Sequence, residues 1–328
     1  MALQPSEIGS SHHRASEPVP VLLIASAGRS GSTLLDRVIG AQEGFCSVGE
    51  LRFIWERSFG ENQLCGCGLP FHECAFWRAV SCEVFGVEAA QVDAATAIRL
   101  RKSLDEMRNA PWLIQPYRPA RFRSALGVYS QLLESLYEGI LKVSGARVIV
   151  DSSGDATHGH ILSQLPNVET HVVHLVRDSR AVAFSSKRTR ERPEIHWKSE
   201  NMPIEHVHAS SKRWMEQNAV AELLSKSAAS YSRLRYEDFV TDPYAALSGI
   251  LAPYGWRQSQ PQWTQDTEIV LEPAHTVSGN PMRFKQGQLK IKLDDEWRRV
   301  MPQRDRRLAT AITWPLLARY GYLTRRGV

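Results

Sequence analysis

The sequence predicts an α/β fold of three layers, a central parallel sheet flanked by helices, and three observations predict it. Val21-Leu22-Leu23-Ile24-Ala25 is an unbroken apolar run, and Arg147-Val148-Ile149-Val150 and His171-Val172-Val173-His174-Leu175-Val176 are two further strand-length segments rich in β-branched residues. A run without polar alternation suits a parallel strand covered on both faces. Each run leaves through a glycine or polar exit into a helical segment, and strands alternating with helices mean βαβ units.

The chain has 328 residues, which allows two domains, yet α/β bodies of this size are often one; we read a single domain over 19–328 after a polar, flexible segment 1–18. A hydrophobic fraction of 43% and a charged fraction of 23% are those of a soluble globular protein. Lys+Arg 40 against Asp+Glu 35 is too balanced for a nucleic-acid binder, and the net charge of +5 points to a local basic pocket for an anion. The sequence shows neither the apolar core of a secretion signal nor an apolar run of membrane-span length, so a cytoplasmic protein is expected, and oligomeric state is unreadable. Five cysteines fit a reducing compartment better than a disulfide framework.

The first strand ends in Gly28-Arg29-Ser30-Gly31-Ser32-Thr33-Leu34. Gly28 and Gly31 permit a tight turn and close backbone approach, and Ser32 and Thr33 open a helix, running to about Ala41, whose unpaired N–H groups and positive dipole end favour an anion. The loop is a phosphate cradle, but not that of a nucleotide-triphosphatase, which needs four residues between its glycines and a lysine after the second. The cation here is Arg29.

Gly44–Leu51 is a short apolar segment ending on Gly49 and Glu50. By position alone Glu50 is best read as a first-turn acid on a helix Leu51 to Ser58. Residues 52–145 read as a mostly helical, acceptor-side insertion, with helices over Ala94–Arg108 and Phe122–Val143, the second capped by Gly145. Its aromatics Trp55, Phe59, Phe71, Trp77, Trp112 and Tyr117 are candidates for an acceptor pocket, against the commoner reading as core. Cys65, Cys67 and Cys74, near His72 and Cys82, lack the paired C-x-x-C of common zinc modules, so an inert cysteine cluster is favoured and no metal is expected.

The second strand leaves through Asp151-Ser152-Ser153-Gly154 into a helix through Leu165. The third leaves through Arg177-Asp178-Ser179-Arg180 into a helix Ala181–Arg190, with Ser185 eight residues after Arg177. An arginine and a hydroxyl at that edge suit a second phosphate. His171 and His174 lie within the strand and read as core histidines. Pro193–Pro203 is a breaker-rich loop with the character of a lid. A helix Glu205–Ser225 precedes the strand that begins at Tyr231 and leaves through Arg235-Tyr236-Glu237-Asp238; another helix starts near Asp242-Pro243, then a loop His275–Gly287 and helices Asp294–Met301 and Arg304–Arg319.

Assembled, these residues resemble the sulfotransferases that use 3′-phosphoadenosine 5′-phosphosulfate (PAPS), over about Val19 to Tyr322. Gly28 to Leu35 is similar to their 5′-phosphosulfate loop, Val176-Arg177-Asp178-Ser179-Arg180-Ala181 with Ser185 to their 3′-phosphate site, and Leu234–Phe239 to the stretch whose tyrosine, here Tyr236, touches the adenosine side. The resemblance implies a P-loop-like fold, a PAPS co-substrate, Glu50 as catalytic base in a Gly-Glu setting, Arg29 holding the phosphosulfate, and an acceptor hydroxyl or amine on a small molecule, lipid or glycan. It also implies that Ser278-Gly279-Asn280-Pro281-Met282-Arg283, through Asn280 and Arg283, contacts the 3′-phosphate. Related chains often carry lysine where this one has Gly154, so Arg29, His158 or the lysine of the Lys187-Arg188 pair is expected to supply that cation, or activity to be lower. A P-loop kinase or nucleotide-triphosphatase and a non-catalytic module binding PAPS or 3′-phosphoadenosine 5′-phosphate are the rival readings.

Overall fold

A computed structural model describes residues 17–255, 263–265 and 267–323. Most of the N-terminal segment expected to be flexible, 1–16, lies outside the described residues. The chain runs β1 (Val19–Ser26), α1 (Ser32–Gly40), β2 (Phe45–Gly49), α2 (Ala75–Phe85), α3 (Ala95–Leu104), α4 (Ala110–Ile114), α5 (Ala120–Ser144), β3 (Val148–Gly154), α6 (Ala156–Leu162), β4 (Val168–Val176), α7 (Ser179–Ser186) and α8 (Val207–Glu222). It continues through β5 (Ser230–Arg235), α9 (Tyr236–Thr241), α10 (Pro243–Leu251), β6 (Trp263–Gln265), β7 (Glu268–Leu271), β8 (Gly287–Lys290), α11 (Trp297–Val300) and α12 (Gln303–Arg319). None of the described helices is long and apolar enough to cross a membrane.

β1 to β5 form one parallel sheet in the order β2-β3-β1-β4-β5, so the expected α/β architecture with a central parallel sheet is present. The side-chain period of two explains the apolar run of β1: Val21, Leu23 and Ala25 enter one core cluster, Leu22 and Ile24 the opposite one. The first cluster is filled by the 52–145 insertion, with Trp55, Phe71, Trp77 and Tyr129 fully buried. Trp55 stacks on Phe59 at 5.7 Å between ring centroids and Phe71 on Trp77 at 5.3 Å. Each such buried ring contributes on the order of 1.5–3 kcal/mol. Across the sheet, α1, α9 and α10 pack on Leu22 and Ile24, joined by Ile269, Leu271 and Leu289 from the antiparallel sheet β6-β7-β8.

Parallel pairing has one consequence for function: every strand of the large sheet ends at the same edge. The chain switches direction about β1, going to β3 and β2 on one side and β4 and β5 on the other, and the crevice beyond the carboxyl ends at such a point is the usual ligand site. Gly28–Thr33 follow β1, Glu50 follows β2, Arg177 follows β4 and Tyr236 follows β5.

The helix expected over Leu51–Ser58 is instead a short 3₁₀ turn, Leu51–Phe53, followed by a π-helical turn, Ile54–Gly60. The helix expected over Ala94–Arg108 ends earlier, at Leu104, and that over Phe122–Val143 extends to Ala120–Ser144. The left-handed Gly145, φ 62°, ends the latter. The small antiparallel sheet and α2 carry no clear sequence pattern and were not anticipated.

Candidate active site

The turn out of β1 enters the left-handed region twice in three residues, Arg29 at φ 68° and Gly31 at φ 94°. At Gly31 the absence of a side chain is required by a neighbour, since an added Cβ would stand 2.6 Å from Cδ2 of Tyr236. At Gly28 that direction holds no protein atom within 4 Å, so its open side faces the cleft. α1 begins without a side-chain cap, which leaves its first amides to point at the same space. Ser30 is buried, and its hydroxyl has no protein partner.

Gly28, Arg29, Gly31, Ser32 and Thr33 wall a cleft of about 430 Å³, together with Glu50, Arg57, Arg177, Ser185, Arg190, Met202, Pro203, Arg213, Trp214, Tyr236, Asn280 and Asp294. Five arginines, Arg29, Arg57, Arg177, Arg190 and Arg213, face three acids, Glu50, Glu205 and Asp294. The basic pocket expected from the net charge is there. Burial lowers the Arg29 pKa, as does Arg190, while Glu205 and Glu50 act the other way.

Glu50 is fixed through its backbone: its N–H donates to the Val277 carbonyl at 2.8 Å, and the Val277 N–H donates to Val48 O at 2.8 Å. The carboxylate accepts a hydrogen bond from Ser278 Oγ at 3.1 Å and lies 3.8 Å from Arg57 Nη1. Arg57 also donates to Ser278 Oγ and covers the Phe53 ring, 4.0 Å from its centroid. Burial raises the Glu50 pKa above the usual carboxylate value, and Arg57 and Ser278 partly oppose it. A carboxylate in this state is a better proton acceptor than a solvated one. Its side chain is still 24% exposed, open to the cleft.

At the other end, Arg177 is 5% exposed. Its Nη1 donates to the Arg29 carbonyl at 3.2 Å, its Nη2 to Asp294 O at 2.9 Å and Asp294 Oδ2 at 3.0 Å. Nε of Arg177 is buried without a protein partner, and the guanidinium lies 4.3 Å from the Tyr236 ring centroid. Trp214 Nε1 donates to the Arg177 carbonyl at 2.9 Å and steadies the strand end. Ser185, in α7, accepts a 3.5 Å hydrogen bond from Arg190 Nη2.

The fold therefore brings together Gly28, Arg29, Gly31, Ser32, Thr33, Leu34, Glu50, Arg177, Ser185, Tyr236 and Asn280 around one cleft, with Ser30 buried behind the loop. Asn280 is held there by its N–H, 3.4 Å from Thr33 Oγ1, while its own side chain caps Met282 N at 3.1 Å. Arg283 is a correction. It is 1% exposed and donates to Thr276 O at 2.6 Å and Leu64 O at 2.6 Å, away from the cleft lining. The substitutes expected for a lysine at Gly154 are corrected in part: His158 is sealed between Asp105 and Asp151, Lys187 pairs with Asp305 at 2.8 Å and Arg188 with Glu296, so of that group only Arg29 lines the cleft. Gly154 itself sits at φ 75°, a conformation that strains any side chain.

Of the two readings of the insertion's aromatics, the commoner one, core, holds for four of the six. Trp55, Phe59, Phe71 and Trp77 are core, Tyr117 is 79% exposed, and none of the six lines the cleft. The insertion contributes Arg57 instead, and the 193–203 loop contributes Met202 and Pro203. Arg57, Arg190, Arg213 and Ser278 were missed because no spacing marks them; Ser278 belongs to a stretch that had been singled out only for Asn280 and Arg283.

Two solved structures are similar along nearly their whole length: the Sulfotransferase Domain from the Synechococcus PCC 7002 Olefin Synthase, at 19% identity, 92% of this chain and 97% of that one, TM-score 0.47, and the Sulfotransferase Domain from the Curacin Biosynthetic Pathway, at 18% identity, 91% and 99%, TM-score 0.46. No curated protein sequence matches the chain. A sequence model described as "Sulfotransferase family" matches residues 20–260, well over half of the chain. The protein belongs to the sulfotransferase family.

Proposed function

We propose that this sulfotransferase uses PAPS and transfers its sulfuryl group to a hydroxyl or amine of a small-molecule, lipid or glycan acceptor. The observation that carries the reading is the convergence of four strand exits on one cleft, whose lining sets an uncapped helix terminus, Arg29 and a half-buried, base-like Glu50 together with Arg177, Ser185 and Arg190. The residues fit the co-substrate on two counts: Arg177, in the cleft lining, has a buried Nε donor without a protein partner, and Gly28 leaves space toward the cleft.

Arg29, Ser30, Ser32 and Thr33 would hold the 5′-phosphosulfate, Arg177, Ser185 and Arg190 the 3′-phosphate, and Tyr236 the adenosine side. Bound PAPS supplies an activated sulfuryl group: a new S–O (or S–N) bond forms to the acceptor as the S–O bond to phosphate breaks, releasing 3′-phosphoadenosine 5′-phosphate. Glu50 takes the acceptor proton, a role worth about 10²–10⁴-fold. Ser278 and Arg57 hold its carboxylate in place. Arg29 and the first amides of α1 stabilise charge on the leaving phosphate, and losing one such donor typically costs about 10²–10³ in rate.

Isothermal titration of the purified protein with 3′-phosphoadenosine 5′-phosphate, and with ATP and magnesium in parallel, tests the reading. Binding of the bisphosphate with no response to ATP is expected; the reverse would return the protein to the kinase alternative. Turnover of PAPS across acceptor pools then separates the enzyme from a module that only binds.

A further inference from the structure

Cys65-Gly66-Cys67, Cys74 at the start of α2 and His275 beyond β7 meet at one point outside the cleft lining. Their three sulfurs and a ring nitrogen of His275 all lie within 4.8 Å of one another. Cys67 and Cys74 Sγ are 3.8 Å apart, and His275 Nδ1 is 3.2 Å from Cys74 Sγ and 4.0 Å from Cys65 Sγ. Zinc holds sulfur at about 2.3 Å and imidazole nitrogen at about 2.0–2.1 Å, so a tetrahedral ion would set its donors about 3.8 Å apart for S to S and about 3.6 Å for S to N. The Cys67–Cys74 spacing matches the first value and the two distances to His275 bracket the second. All five cysteines are free thiols.

The donors are held from outside as well. Cys65 N–H donates to Leu69 O at 2.8 Å and Gly68 N–H to Cys65 O at 2.8 Å, which closes the cysteine turn into a knuckle. A Cβ on Gly66 would stand 2.3 Å from Thr276 Oγ1 and 2.6 Å from Ala274 O, so the knuckle rests directly on the segment that carries His275. Trp77 Nε1 donates to His275 O at 2.9 Å, and Phe76 stacks on the imidazole with centroids 4.9 Å apart and planes 9° apart. An apolar cysteine cluster gives no reason for a ring nitrogen to turn in among three sulfurs.

We propose that Cys65, Cys67, Cys74 and His275 bind one Zn²⁺ as a closed structural site, three thiolates and one imidazole, with the three thiol protons released to solvent. Soft thiolate donors in a tetrahedral set select zinc over magnesium or calcium, and four protein ligands leave no position for a reacting water. The ion fastens the insertion to the segment that seats Glu50, because Val277 and Ser278, just after His275, make the backbone and side-chain hydrogen bonds to that residue. The sequence reading expected no metal because these cysteines lack a paired C-x-x-C arrangement; the fourth donor, His275, lies 201 residues beyond Cys74.

The test is the zinc content of the purified full chain after expression in zinc-supplemented medium and exhaustive dialysis, with about one ion per chain expected. Cys74→Ser and His275→Ala should lower metal affinity at least about tenfold, whereas Cys82→Ser, at an exposed thiol outside the cluster, should not change it. Protein stripped by a chelator should take up Co²⁺ and give the absorption of a tetrahedral thiolate complex. If the variants fail to fold, the wild type alone decides: Cys65, Cys67 and Cys74 should resist a thiol reagent until chelator is added. A chain that carries no zinc and takes up no cobalt, or a Cys67–Cys74 disulfide in the non-reduced peptide map, would overturn the proposal.

Discussion

Two groups of charge meet at the turn after Glu50, and they are built on opposite plans. Below the turn, Arg52 pairs with Asp105 at 2.8 Å and Asp155 at 2.5 Å, and His158 stands 3.4 Å from Asp105 and 3.3 Å from Asp151. The His158 nitrogens are at ion-pair distance but not aligned for hydrogen bonds. Thr157 donates to Asp105 at 2.6 Å, and Tyr137 to Asp151. Above the turn, the cleft sets five arginines against three acids, and Arg29 has no side-chain hydrogen bond or ion pair among the described residues. The buried group answers its cations from within the protein; the cleft leaves cation in excess. A buried charge without a partner is costly, so the first plan makes a brace and the second a site for an anion.

The largest effect that would break this contrast is on turnover. Glu50→Gln should lower kcat by about 10²–10⁴-fold while leaving the affinity for 3′-phosphoadenosine 5′-phosphate unchanged, as titration and steady-state kinetics will report. Equal loss of both would move Glu50 from the base to the nucleotide site. Since burial raises the Glu50 pKa and Arg57 opposes that rise, the acid limb of the kcat–pH profile should lie above the ordinary carboxylate range. Arg57→Gln should shift it higher still.

Next comes stability. Arg52→Met takes the guanidinium from Asp155 and leaves Asp105 with His158 as its cation, and breaking a buried pair by removing one partner costs about 3–5 kcal/mol; denaturant unfolding measures it. The brace should also show itself in pH. His158, between two carboxylates, has its pKa raised from 6.5 to about 9. A raised value means that the folded chain binds the proton more tightly than the unfolded one. Its contribution is therefore complete below about pH 6.5 and is lost as pH climbs through 9, at about 1.4 kcal/mol per unit of difference. Asp105, held below its ordinary value by Arg52 and His158 against the cost of burial, works in reverse: its share is present above the ordinary carboxylate range and lost on acidification. His158→Gln should flatten the alkaline fall, and an unchanged slope there would remove His158 from the brace.

How much of this was legible follows from how local each signal is. The apolar run of β1, its glycine exit and the start of α1 are adjacent in the chain, so strand, cradle and helix read directly. The αβ alternation gave the sheet, and with it the edge where Arg177 and Tyr236 lie. Glu50 was harder, because its position depends on β2 pairing with β3, where Gly49 aligns with Asp151, a fact of register that no local pattern carries. Arg283 looked like a ligand residue beside Gly279 and Asn280, yet the carbonyls that claim it belong to Thr276 and Leu64. The aromatics of the insertion had the composition of a pocket and the fate of a core, since packing against β1 decided between the two. Arg190 and Arg213 follow no motif, and only the folding of the 186–213 stretch over the edge brings them to the cleft.

The smallest predicted effect concerns Arg177, the one cation of the cleft edge that is both buried and paired among the described residues. Arg177 donates through Nη2 to the carbonyl and to the carboxylate of Asp294, and that carboxylate is 37% exposed. A phosphate arriving at Arg177 meets a negative charge already there. Asp294→Asn keeps the backbone acceptor and removes the charge, so affinity for 3′-phosphoadenosine 5′-phosphate should rise, by the few-fold that a partly exposed ion pair of about 0.2–1 kcal/mol allows. Arg177→Ala should do the opposite and more strongly, about 10- to 100-fold weaker, as for losing hydrogen bonds to a charged group. Raising the salt concentration should shrink the Asp294→Asn gain. Were Asp294→Asn to weaken binding instead, the carboxylate would be the clamp that aims Arg177 at its ligand, and the excess of cation in the cleft would rest on Arg29 and Arg190.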